Sequence, residues 1–159
     1  MTARKLLFIL SYTILTISIS EAQEYNTGVG FRLGSYQGIT VKHFLNRGSA
    51  IEGILATQYN GFYIAGLYEK QQMAFDTPHL DWFYGVGGHM GSWRAGHNYH
   101  WENNGKNYTA IGIDGIIGLE YTFDFPLNIG LDWKPAFNFT SPSGFWGDGI
   151  AFSVRYAFK

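Results

Sequence analysis

The amino-acid sequence predicts an all-β protein, an eight-stranded antiparallel up-and-down transmembrane β-barrel. Three observations lead to this prediction: several segments alternate between apolar and polar residues, the composition is aromatic and poor in charge, and an export signal stands at the N-terminus. Aromatic residues make up 18% of the 159 residues and charged residues only 14%, against roughly 25% charged in an average globular protein. We therefore expect much of the surface to meet something other than water.

The first 22 residues are typical of a secretory signal peptide. Residues 4 and 5 are basic, residues 6–19 are largely apolar, and residues 20–22 read Ser-Glu-Ala before the expected cleavage site. The apolar run is shorter than the roughly 20 residues that a membrane-spanning helix requires. We expect export through the Sec pathway, removal of the signal peptide 1–22, and a single outer-membrane β-barrel domain over residues 23–159.

The last segment shows the clearest alternation, and a strand points successive side chains to opposite faces. The face expected to meet lipid carries Ile150, Phe152, Val154, Tyr156 and Phe158. The sixth and seventh strands repeat the pattern. The apolar face of the sixth carries Ile111, Ile113, Ile117, Leu119 and Tyr121, and that of the seventh carries Leu127, Ile129, Leu131 and Trp133. A lipid-exposed sheet must close on itself, because open edges leave backbone groups unpaired.

Five earlier strands are expected at about residues 24–33, 36–44, 49–58, 61–70 and 81–91. Tight turns are predicted at Asn46-Arg47-Gly48 and at Asn60-Gly61. Eight strands of about 10 residues, tilted at about 45°, can span a bilayer. The glycines near residues 85–88 and 112–118 are expected to relieve crowding in a narrow barrel. The connection over residues 71–80 is unusually long for the periplasmic end of such a barrel.

The polar faces would then point into the lumen and form a charge network. Its expected members are Asp114, Glu120, Asp132, Lys134 and Arg155, joined by Lys42, Glu52 and Glu69 from earlier strands. Buried charges must pair, so we expect Arg155 and Lys134 to contact Glu120 and Asp132. A catalytic carboxylate pair or a diffusion pore is disfavoured, because an eight-stranded interior barely accommodates its own side chains.

Other chemistry has little support in the sequence. His89, His97 and His100 are interpreted as solvated loop residues, because metal sites usually need three or more ligands in a defined geometry. The basic residues are scattered and the net charge is −1, which argues against nucleic acid as a partner. Glycine-rich stretches lack the features of a phosphate-binding loop, and no Ser nucleophile motif is present. We expect no cofactor, no metal and no catalytic residues.

Aromatic clusters near strand ends are typical of a membrane girdle. The girdle candidates are Trp82, Phe83, Tyr84, Trp93 and Tyr99. Trp101, Phe145 and Trp146 lie deep within loops and are candidates for contact with a partner or a glycan. The long connection adds apolar residues, above all Met73 and Phe75, which suggest contact with a periplasmic or neighbouring membrane protein.

Together these features resemble the small outer-membrane barrels of the OmpA/OmpX type. The resemblance rests on the Ser-Glu-Ala end of the signal peptide, the amphipathic strands and the closing segment 152–159. Residues 118–123 and 131–137 are also similar to small, uncharacterised outer-membrane β-barrel proteins. The family's terminal strand is read by the barrel-assembly machinery and usually ends on an aromatic residue, whereas here Lys159 follows Phe158.

The resemblance implies a location in the cell outer membrane, among outer-membrane lipid and lipopolysaccharide. We predict a non-enzymatic structural or interaction protein, or an accessory subunit of an outer-membrane complex that acts through its loops. One alternative is a lipid A-modifying enzyme of the deacylase or acyltransferase kind, for which His89 and Ser92 are the nearest candidates, although their spacing does not match. A second alternative is a soluble lipocalin-like binding protein whose apolar face points inward.

Overall fold

Antiparallel strands hydrogen-bond around a closed barrel in the computed structural model, which describes residues 25–58, 61–93, 107–140 and 143–158. The strands are β1 (Thr27–Gly34), β2 (Gln37–Asn46), β3 (Ser49–Gln58), β4 (Gly61–Met73), β5 (Leu80–Trp93), β6 (Tyr108–Thr122), β7 (Leu127–Trp133), β8 (Ala136–Asn138), β9 (Gly144–Trp146) and β10 (Ile150–Phe158). No helix within these ranges is long and apolar enough to cross a membrane.

The barrel has eight strand positions, because two positions are each built from two consecutive strands. Neighbours follow chain order from β1 to β6, and β10 pairs with both β1 and β7. The strands β7 and β8 both pair with β6, and they are interrupted at Lys134 and Pro135. Proline has no backbone N–H to give to the ladder. The structure confirms the predicted eight-stranded antiparallel barrel.

The two ends of the barrel differ. The terminal end carries the first and last described residues and the turns that follow β2, β4 and β6, whereas the loop end carries the connections after β1, β3, β5 and β8. The predicted turn after β2 is confirmed: Asn46 pairs with Ser49, and Gly48 adopts a φ of 81°. A two-residue hairpin turn favours glycine in this left-handed region.

The connection predicted over residues 71–80 is shorter than expected. Strand β4 continues to Met73 and β5 already begins at Leu80, so that only residues 74–79 connect them. Gln71 belongs to the strand because its backbone N–H donates to the carbonyl oxygen of Gly48 and its side chain is buried. The prediction was wrong because polar residues at the end of β4 resembled a loop.

Inward-facing glycines let neighbouring strands approach closely. A Cβ atom built on Gly87 would lie 2.0 Å from the carbonyl oxygen of Gly66 on β4. Corresponding contacts are 2.3 Å at Gly85, 2.2 Å at Gly112 and 2.6 Å at Gly118. The crowding interpretation therefore holds at these positions. It does not hold at Gly88 and Gly115, where the nearest atoms would be 3.3 and 3.6 Å away.

We predict that Gly87→Ala destabilises the barrel by about 1–3 kcal/mol, the usual cost of overpacking a tight interior. Gly66→Ala is the matched control, because a Cβ there meets nothing within 4 Å. The measurement is denaturant-induced unfolding followed by tryptophan fluorescence. Equal stability of the two variants would contradict the close approach of β4 and β5 at Gly87.

Candidate functional site in the barrel interior

Charged side chains from most strands meet inside the barrel. The buried charged and histidine side chains are Arg32, Lys42, Glu52, Glu69, Asp81, His89, Asp114, Glu120, Asp132, Lys134 and Arg155. All five members of the predicted lumen network are among them. Their positions follow from the period of two along each strand, which turns every second side chain inward. The interior therefore holds the charged face of the sheet, together with a buried apolar cluster that includes Ile54, Leu67 and Ile116.

Near the terminal end, Glu120 accepts hydrogen bonds from three side chains. Lys42 Nζ donates to its Oε2 at 2.8 Å, Gln71 Nε2 donates to its Oε1 at 2.8 Å, and the Tyr25 hydroxyl donates to Oε1 at 3.1 Å. Lys42 Nζ also lies 3.0 Å from Glu69 Oε2 and 4.2 Å from the ring centroid of Phe83. One lysine thus contacts two carboxyl groups, from β4 and β6, while an aromatic face covers it.

Arg155 provides the second link across the interior. Its Nη2 donates to Glu52 Oε1 at 2.6 Å, and its Nη1 lies 3.8 Å from Glu120 Oε2. Glu52 additionally accepts a hydrogen bond from the Thr40 hydroxyl. The expected contact between Arg155 and Glu120 is present, but the closer partner is Glu52 on β3.

Asp132 has a partner that the sequence analysis missed. Both guanidinium Nη atoms of Arg32 donate to the two carboxylate oxygens of Asp132, with 2.6 Å between Nη1 and Oδ2. This bidentate arrangement is the strongest geometry available to an arginine and a carboxylate. The sequence feature that could have indicated the inward position of Arg32 is its place between Phe31 and Leu33. These two large apolar residues are exposed on the outer face.

Lys134 pairs differently from the prediction. Its Nζ donates to Asp114 Oδ1 at 2.9 Å and to the Tyr63 hydroxyl at 2.6 Å. The expected contact of Lys134 with Glu120 or Asp132 does not form, since Arg32 already holds Asp132 and Lys42 holds Glu120. Ion pairs thus join Lys42 with Glu69 and Glu120, and they join Lys134 with Asp114 in a second set, which we call the loop-end group.

His89 belongs to the loop-end group. Its Nδ1 lies 3.1 Å from Asp114 Oδ2 and its Nε2 lies 2.6 Å from Asn138 Oδ1. The interpretation of His89 as a solvated loop residue was wrong, because β5 extends to Trp93 and turns this side chain inward. His97 and His100 lie outside the described residues. Within those residues, no three His, Asp or Glu side chains are arranged to hold a metal ion.

The two residues considered as a catalytic pair of a lipid A-modifying enzyme, His89 and Ser92, lie on different faces of β5. His89 is buried in the interior, whereas Ser92 is exposed on the outer face of the same strand. Residues three apart on a strand point to opposite faces. These two side chains therefore do not form a catalytic pair.

Two aromatic residues assigned to the girdle lie inside instead. Phe83 and Trp93 are buried in the interior cluster, and Trp93 contacts the ring of Trp146 with 6.1 Å between centroids. Both belong to the inward register of β5, which the sequence analysis did not resolve among its glycines. Trp82 and Tyr84 lie on the outer register and stack on each other, whereas Tyr99 lies outside the described residues.

The proposed partner-contact residues divide between the two ends. At the terminal end, Met73 is partly buried and Phe75 is exposed. At the loop end, Phe145 is exposed and Trp146 is partly buried against Trp93. Trp101 lies outside the described residues.

No protein-family model matches this chain, and no curated protein matches its sequence.

We predict that Arg32→Met destabilises the barrel by about 3–5 kcal/mol, because it leaves the buried carboxylate of Asp132 unpaired. The double variant Arg32→Met with Asp132→Leu is expected to recover most of this loss, since it removes both charges. Unfolding titrations of the two single variants, the double variant and the unchanged chain provide a double-mutant cycle. Strictly additive losses would contradict a direct pair.

Proposed function

We propose that this chain is a small integral protein of a bacterial outer membrane, which acts as a non-enzymatic structural or interaction protein or as an accessory subunit of an outer-membrane complex. One observation carries the proposal: the barrel holds its charges inside and presents its large apolar side chains outside. The proposal includes export through the Sec pathway, insertion by the barrel-assembly machinery, and contact with outer-membrane lipid and lipopolysaccharide.

The outer face supports a lipid environment. Large apolar side chains are exposed on β1 to β8 and on β10, and they include Phe31, Leu55, Ile64, Val86 and Leu131. Of the residues predicted to meet lipid, Ile150, Phe152, Tyr156 and Phe158 are exposed on this face and Val154 is half-buried there. Soluble monomers rarely expose contiguous apolar patches larger than a few hundred Å². A belt that encircles a barrel fits acyl chains.

The backbone hydrogen bonds of the closed sheet also support a lipid environment. Strand β10 pairs with β1 from Thr27 with Phe158 to Gly34 with Ala151, and this pairing closes the sheet, whose other strand positions are paired in chain order. In hydrocarbon each unpaired backbone group costs several kcal/mol. An even number of antiparallel strands with short turns at one end is typical of bacterial outer-membrane barrels.

The alternatives fit the geometry less well. A soluble lipocalin-like binder requires an apolar interior, but the interior contains ion pairs such as Arg32 with Asp132 and Lys134 with Asp114. A lipid A-modifying enzyme requires an accessible catalytic group at the rim, but His89 is buried between Asp114 and Asn138. We therefore propose action by binding, through side chains exposed at the two ends of the barrel.

We predict that Phe31→Arg, in the middle of β1, costs about 2–4 kcal/mol of stability in lipid vesicles, because arginine on a lipid-facing strand is most costly near the bilayer midplane. Leu45→Arg, next to the turn after β2, is the matched control and is expected to cost about 0–1 kcal/mol. Both wild-type side chains are exposed on the outer face.

The measurement is guanidinium unfolding of each variant reconstituted in vesicles, followed by tryptophan fluorescence. If water rather than lipid surrounded the barrel, an exposed phenylalanine would tolerate arginine within about 0.5 kcal/mol at both positions. Equal small effects at the two positions would therefore contradict the proposal.

A further inference from the structure

We propose that two adjacent turns at the terminal end form a docking surface for a periplasmic protein whose contact surface is basic and contains an apolar pocket. The surface consists of Phe75 and Asp76 in the turn after β4 and of Asp124 and Phe125 in the turn after β6; we call it the aromatic–acidic surface. This inference rests on the proposed function, in which the chain acts by binding, and it assigns one end of the barrel to one kind of partner.

The turn after β4 has an ordered backbone, which presents Phe75 at the surface of the barrel. The N–H of Ala74 donates to the carbonyl oxygen of Leu80 at 2.8 Å, and the N–H of Thr77 donates to that of Ala74 at 3.0 Å. The Thr77 hydroxyl donates to the carbonyl oxygen of Phe75 at 3.2 Å. Phe75 is nevertheless 83% exposed, so its ring contributes little burial to the folded barrel.

The same turn is strained. Phe75, Asp76 and His79 adopt φ values of 53°, 49° and 69°, in the left-handed region that costs a residue with a Cβ about 1–2 kcal/mol. Aspartate tolerates this region better than phenylalanine does. A large exposed ring on a strained backbone does not stabilise the barrel. Backbone strain of this kind concentrates at functional sites, where it fixes a side chain for binding.

The turn after β6 completes the surface. It lies beside the first turn, because the N–H of Thr122 donates to the carbonyl oxygen of His79 at 2.9 Å and His79 Nε2 lies 3.7 Å from Asp124 Oδ1. Phe125 is 56% exposed and stacks on Phe123 with 5.0 Å between ring centroids. The side chain of Asp124 is 93% exposed. Each exposed phenylalanine therefore has an exposed aspartate next to it in sequence.

Exposed charges at this end of the barrel are of both signs, with Arg47 in the turn after β2 and Lys70 on β4. The two turns of the aromatic–acidic surface, however, carry Asp76 and Asp124, which favour one kind of partner. Anionic lipid attracts basic segments, so it repels a surface that carries Asp76 and Asp124. A symmetric contact with a second copy of the chain would bring the same carboxylates together. A basic protein surface is instead attracted by the aspartates, and rigid aromatic side chains are favoured anchors in the pockets of such interfaces.

The test uses the full chain in intact cells, with the photocrosslinker p-benzoylphenylalanine in place of Phe75 and, separately, in place of Phe125. Both replacements retain an aromatic ring. The matched control carries the crosslinker in place of Phe145, which is equally a phenylalanine exposed at an end of the barrel but lies at the loop end.

We expect illumination to join both terminal-end positions to one and the same protein, with Lys or Arg in its crosslinked segment, and the loop-end position not to reach that protein. Introducing Asp76→Asn and Asp124→Asn together is expected to lower the yield of this adduct several-fold. Raising the salt to about 1 M in isolated membranes is expected to have a similar effect, because exposed charges are then screened beyond about 3 Å.

Three results would overturn the docking surface. They are adducts with lipid or with a second copy only, no adduct at all, or a protein adduct whose yield changes neither with the two Asp→Asn substitutions nor with the salt concentration. Recovery of each variant in the outer-membrane fraction is measured in the same cells. If the chain is recovered there and no charge-dependent adduct forms, the docking surface alone fails. If even the unchanged chain is not recovered there, the proposed function fails, and the docking surface fails with it.

Discussion

The pairing of opposite charges across the barrel interior connects the other features of the structure. Arg32 and Asp132 are 100 residues apart in sequence, and Arg155 and Glu52 are 103 apart. These pairs form only when the sheet has closed, and an unpaired member would be a buried charge at a cost of several kcal/mol. Closure of the barrel, pairing across the interior and the outward position of the apolar residues are therefore aspects of one arrangement.

The charged interior and the apolar outer face both result from the alternation of side chains along each strand. On β10, Arg155 enters the ionic network while its neighbours Val154 and Tyr156 lie on the outer face. A shift of one residue in strand register would exchange the faces, and it would place charges on the belt and apolar groups among the ion pairs. The network thus fixes the register as well as the closure. The belt in turn determines the surroundings in which the closed barrel is stable.

How much the sequence predicts depends on how regular each strand is. The faces of β6, β7 and β10 could be predicted, because apolar and polar residues alternate there over seven or more positions. In β5 the glycines around Gly87 hide the alternation, so His89 and Trp93 were assigned to the outside. In β1 the glycines on either side of Val29 hide the inward register, and Arg32 was missed. Partners across the interior depend on the stagger of the whole barrel, which no single strand determines.

The most direct test is contact between lipid and the outer face, measured by quenching of tryptophan fluorescence with bromine-labelled acyl chains. Trp133 lies exposed on the outer face and Trp93 is buried inside, so a variant that keeps only one of these two and replaces the other four of the five tryptophans reports on one side of the sheet. We expect strong quenching of Trp133 and little quenching of Trp93 in vesicles. A Trp133 quenched by aqueous acrylamide but not by brominated lipid would contradict this expectation.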